Sequence, residues 1–91
     1  MKKFFHVGFN FHGGPAKETE LAPIFNKAED WLRYAPNCWI IYTDETAETW
    51  ADRLRPHTKE SDSIFICELN IDNRSGFLSK ILWDWFRKTR S

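Results

Sequence analysis

The sequence predicts an α+β domain of ferredoxin-like type. Its β-α-β-β-α-β order makes an antiparallel four-stranded sheet with two helices on one face and an added C-terminal helix. Three observations carry that prediction. Phe5, Val7, Phe9 and Phe11 alternate with smaller or polar residues, the period of two that marks a strand with one core face. Two later stretches, Leu21/Ile24/Phe25/Ala28 and Ala47/Trp50/Ala51/Leu54, repeat apolar residues at the spacing of amphipathic helices. Ser63–Leu69 reads as a strand that is apolar on both faces.

Taken in order, the first strand covers about residues 3–11. Its second face carries Phe4, His6, Gly8 and Asn10. His12-Gly13-Gly14-Pro15 follows as an irregular loop, where backbone turns sharply or approaches a ligand closely. A helix over about 20–29 comes next, with Pro23 accommodated in its first turn. Two readings compete for residues 30–43. One continues the helix to Tyr34. The other makes 31–35 a short strand joined to 38–43 through a Pro36-Asn37 turn. Pro36 disfavours helical backbone at Ala35, and Pro-Asn suits a turn, so the hairpin is preferred.

Thr46 reads as the N-cap of the second helix, with Asp44 and Glu45 explained by the helix start, and Pro56 stops or kinks that helix near Arg55. In the strand 63–69, Ile64 and Ile66 share one face with Glu68, while Phe65, Cys67 and Leu69 share the other. Burial on both faces would need cover on both sides of the sheet. Glu68 is expected in solvent or paired with Arg33 or His6. The final helix, about 77–88, shows a broad apolar face of Leu78, Ile81, Leu82, Trp85 and Phe86.

The chain has 91 residues, enough for one domain spanning 1–91. Its aromatic fraction, 16%, with five Trp and eight Phe, supplies large burial per residue for a dense core or for an interface with a second subunit. Lys+Arg and Asp+Glu both number 13, a balance that argues against a general nucleic-acid binder. Cys38 and Cys67 lack the close spacing of a metal site and read as buried free thiols. No signal-peptide pattern or stretch long enough to span a membrane is present, so the expected location is cytoplasmic.

Trp39-Ile40-Ile41-Tyr42-Thr43-Asp44, Thr46-Ala47-Glu48, Asp52-Arg53-Leu54-Arg55-Pro56-His57, the Ser61-Asp62 turn and Trp83-Asp84-Trp85 together resemble a group of small bacterial and phage proteins labelled "SinR-like". The resemblance spans about residues 4–88. That group looks like a branch of the superfamily that contains the small CRISPR-associated adaptation protein and the VapD ribonucleases. The resemblance implies a ferredoxin-like homodimer, with metal-dependent nuclease activity in some members. In that superfamily the first strand typically ends in Tyr-Asp, the Asp being proposed to hold a divalent metal. The matching pair here is Phe9-Asn10. A neutral amide is a poor ligand for a hard cation, so the departure puts that activity in doubt.

Candidate site residues are Asn10 and His12 at the end of the first strand, where phosphate or a metal-bound water would bind, and His57 as a general base near the sheet edge. No Ser-His-Asp order, zinc spacing or P-loop is present. Phe4, His6, Trp39, Ile64, Ile66 and Trp85 are candidate interface residues. The expected function is that of a non-catalytic homodimer that binds another macromolecule and needs no cofactor. One alternative is a Mg²⁺- or Mn²⁺-dependent nuclease. Another is an RNA-binding open sheet using Trp31, Trp39 and Phe4, which the balanced charge and the lack of an aromatic-basic motif disfavour.

Overall fold

The computed structural model describes residues 1–13, 18–88 and 90. Its elements are β1 Lys3–Asn10, α1 Glu18–Phe25, β2 Asp30–Ala35, β3 Cys38–Thr43, α2 Ala47–Leu54, a 3₁₀ turn Arg55–His57, β4 Ser63–Leu69 and α3 Lys80–Arg87. The four strands form one antiparallel sheet in the order β2-β3-β1-β4. This small α+β architecture is consistent with the ferredoxin-like class. No described helix is long and apolar enough to cross a membrane.

Alternation along β1 divides the sheet. Phe5, Val7 and Phe9 join Trp39 and Ile41 of β3 on the inner face, where Leu21, Ile24 and Phe25 of α1 and Trp50 and Leu54 of α2 complete one buried cluster. Phe25 stacks on Trp39 at 4.9 Å and on Trp50 at 6.0 Å, and Phe9 meets Trp39 edge-on at 5.3 Å. Much of the aromatic excess is thus spent on a core that only two short helices cover. Phe11 lies just beyond β1 but stacks on Phe9 at 4.8 Å.

Several boundaries differ from the sequence-based expectation. α1 begins earlier and ends at Phe25, so Pro23 lies inside it and not in its first turn. The chain then tightens: Lys27 N–H donates to Ile24 O and Ala28 N–H to Phe25 O, which keeps Ala28 in the core with the rest of its stripe. The hairpin reading of residues 30–43 holds. β2 and β3 pair, with a register irregularity between Arg33 and Ala35, and the Arg33 guanidinium donates to Pro36 O across the turn. α2 starts at Ala47 behind Thr46, whose hydroxyl accepts from Thr49 N–H at 3.1 Å. Glu45 and Arg53 form a two-pronged ion pair at 2.9 and 2.7 Å, and that pair holds the Glu45 carboxyl below its ordinary pKa.

β4 is apolar on both faces in sequence but is not buried on both. It is an edge strand. Ile64 and Ile66 pack against the core, while Phe65 on the other face is 66% exposed. The cysteines depart from expectation for the same reason. Pairing with β1 sets Cys38 opposite Gly8 and Cys67 opposite His6, on the side away from α1 and α2, so Cys38 is half-buried, Cys67 is exposed and both are free. α3 is shorter than the predicted 77–88.

Candidate functional site

The face of the sheet opposite α1 and α2 carries the polar chemistry. Register places Phe4, His6, Gly8 and Asn10 of β1 beside Cys38, Ile40 and Tyr42 of β3 and Phe65, Cys67 and Leu69 of β4. Leu32 lies opposite Ile40 and Asp30 opposite Tyr42, which brings β2 onto the same surface.

At its centre the His6 ring lies over Gly8. A Cβ at Gly8 would sit 3.1 Å from His6 Cε1, so the missing side chain makes room for the imidazole. Tyr34 reaches the ring from β2, and its hydroxyl shares a hydrogen bond with Nε2. Burial lowers the pKa of His6 below 6.5, which favours the neutral ring, whose Nε2 accepts this bond in one tautomer and donates it in the other. Burial, with the neighbouring Cys38 side chain, pushes the Tyr34 phenol up to about 12, so it stays protonated.

One end of the face is closed by the C-terminal segment. Trp85 meets Phe4 edge-on at 5.8 Å, and Phe4 packs on Tyr42 at 4.7 Å. The Arg90 guanidinium lies 4.2 Å from the Trp85 ring, 5.1 Å from Phe4 and 5.5 Å from Tyr42. It pairs with Asp30 at 3.2 Å and donates to Trp85 O at 2.7 Å, with its side chain only 9% exposed. Lys88 also pairs with Asp30. Partial burial raises the Asp30 pKa, but the bonds from Lys88 and from Trp31 N–H outweigh it and leave the carboxyl below its ordinary value.

The other end, at the close of β1, is polar and open. Asn10 is exposed and lies opposite Ser63. His12 N–H donates to Asp62 Oδ1 at 2.9 Å and Lys59 N–H to Asp62 Oδ2 at 2.8 Å. These bonds lower the pKa of Asp62 and employ both its oxygens in holding the turn before β4. Gly14 and Pro15 lie outside the described residues, so of the expected glycine loop only Gly13 has a place here, close to the Lys59 amine. His57 is exposed in the 3₁₀ turn. A groove of about 600 Å³ runs from α2 to β4, lined by Arg55, Thr58, Lys59, Glu60, Asp62 and Ile64 together with Ala51. No hydrogen bond joins Asn10, His12 or His57 to another of the three among the described residues. Nor does any group of three or more His, Cys, Asp or Glu there stand where it could hold a metal ion.

The candidate interface residues separate into four sets. Phe4 and Trp85 contact one another under α3, and Trp39 is fully buried in the monomer's own core. His6 lies on the outer face beneath Tyr34, and Ile64 and Ile66 line the inner side of β4. Glu68 pairs with Lys3 at 3.2 Å, and not with Arg33 or His6. Sequence reasoning missed Tyr34 as the partner of His6 and Arg90 as the clamp on α3. The sequence carries one signal for the clamp, the basic cluster Arg87, Lys88 and Arg90 at the end of the last helix. No family model, curated protein or solved structure matches the chain.

Proposed function

We propose that this chain is a ferredoxin-like protein of the SinR-like group, related to the CRISPR-associated adaptation protein and VapD superfamily. It acts as a non-catalytic homodimer that binds a further macromolecule. The observation that supports this reading is the apolar surface one copy leaves uncovered. Phe65 is 66% exposed, Ile81 is 78% exposed, Phe77 is fully exposed, and α3 buries none of its residues despite its apolar face. Large apolar side chains left in solvent are candidates for association sites. Asn10 supports the non-catalytic part, because a neutral amide stands where the resemblance leads one to expect a metal-binding acid.

Light scattering during gel filtration at micromolar concentration tests the dimer, and a stable monomer overturns it. Mg²⁺- or Mn²⁺-stimulated cleavage of RNA or DNA by a clean preparation overturns the non-catalytic part. Oligonucleotide binding that weakens steeply with salt would instead favour the open sheet as an RNA platform.

A further inference from the structure

Building on the homodimer reading, we propose that two copies join through their β4 edges. The strands pair antiparallel about a two-fold axis at Ile66, and two four-stranded sheets become one continuous sheet.

The backbone defines the bonding edge. Phe9 N–H donates to Asn37 O, so Phe9 and, by alternation, Val7 and Phe5 direct their backbone groups toward β3. Gly8, His6 and Phe4 then turn theirs toward Phe65, Cys67 and Leu69 of β4. Ile64, Ile66 and Glu68 therefore point their N–H and C=O groups away from the sheet. No strand among the described residues pairs with that edge, which lies outermost in the strand order, and the Cys67 thiol makes only a long contact to Glu68 O at 3.5 Å. It also carries little of the usual protection: Ser63–Leu69 contains no Pro, Lys or Arg, Glu68 is its one charge, and its pairing with β1 shows no bulge.

The occupant is a second copy because the edge is self-complementary. With Ile66 opposite Ile66 of its mate, all of β4 pairs, Ser63 against Leu69 and Ile64 against Glu68. The one charge of the strand never meets its own copy, and Lys3 already neutralises it. Moving the axis to Glu68 sets like charges face to face. The neighbouring groove carries Arg55 and Lys59 with Glu60 and Asp62, equal charges of both signs. A two-fold axis beside such a groove can set base against acid from each side. A foreign strand would have to carry as little charge and be apolar on both faces. β4 is such a strand, and every second copy brings one.

In this register Phe65 stands opposite Cys67 of the other copy, at a separation suited to a disulfide. The test is oxidation of a Phe65→Cys/Cys38→Ser variant, with peptide mass spectrometry of the covalent dimer. A 65–67 link between copies is expected. A Cys67–Cys67 link overturns the proposal, because it requires a different axis. Glu68→Pro supplies a second measurement. It removes an outward N–H from the bonding edge without touching the core, and is expected to raise the dimer dissociation constant at least about tenfold. A dimer that forms no 65–67 link and is indifferent to Glu68→Pro overturns the β4 interface alone. A protein that stays monomeric overturns the homodimer reading as well.

Discussion

The two edges of this sheet are built by opposite rules. β2 is irregular at Arg33/Ala35, ends against Pro36, carries Asp30 and Arg33, and has the C-terminal segment fastened beside it through Arg90. β4 is regular along its length, carries Glu68 as its only charge, and leaves Phe65 in solvent. Bulges, prolines and charges are the means by which a sheet edge is kept from pairing with another chain. The contrast teaches that protection here is assigned edge by edge: one edge is closed off by an irregularity, charges and the segment held through Arg90, while the other is regular, carries one charge and has no strand beside it.

Breaking the closed edge should give the largest effect. Arg90 is nearly buried, stacks on three aromatic rings and pairs with Asp30. Arg90→Ala should lower the unfolding free energy by about 2 kcal/mol, by loss of a desolvated cation–π contact and of a charge partner for the partly buried Asp30 carboxylate. Denaturant unfolding reads the cost, and hydrogen exchange should show α3 losing protection before the strands do. Asp30→Asn should cost less, because the rings still hold the guanidinium. Equal costs would mean that the ion pair, not the aromatic stack, fastens α3.

A smaller effect sharpens the comparison at the middle of the face. His6 has a lowered pKa in the folded chain because of burial, so the unfolded chain binds its proton more tightly. This group opposes folding once it must be protonated. Stability should therefore fall as pH drops below the ordinary value of 6.5 toward the folded pKa, and should be recovered above 6.5. Urea unfolding at pH 5.5 and at pH 7.5 should show that difference in the natural protein and a reduced one in His6→Asn. An unchanged difference would place the titration elsewhere.

Much of the strand pattern was readable because it is local. Alternation over Phe5, Val7 and Phe9 and the stripe Ala47, Trp50, Ala51 and Leu54 fix which side chains turn inward, and those residues are in or against the core. Pro36 decided the hairpin. Pro23 misled, because a proline inside a short helix costs little only when tertiary contacts hold its neighbours, and here Leu21, Ile24 and Phe25 do so. The outer face was much less legible. His6 and Tyr34 are 28 residues apart, Asp30 and Arg90 are 60 apart, and nothing local signals either pair. The exposure of Phe65 and Cys67 depended on strand order. A sequence apolar on both faces fits a covered central strand and a bare edge strand equally well.

The smallest expected effect on folding bears most directly on the contrast between edges. Phe65→Lys replaces an exposed aromatic on β4 with the side chain most often used to guard a free edge. Because Phe65 belongs neither to the core cluster nor to the packing beneath α3, the folded monomer should change by no more than about 0.5 kcal/mol. Self-association is a separate quantity. If β4 bonds to a second copy, the melting temperature of the natural protein should rise with concentration while that of Phe65→Lys should not, since association stabilises by mass action. Comparing the two at the lowest workable concentration isolates the folding term. A loss of several kcal/mol there would mean that Phe65 supports its own monomer, and that the difference between the edges lies in packing, not in availability for pairing.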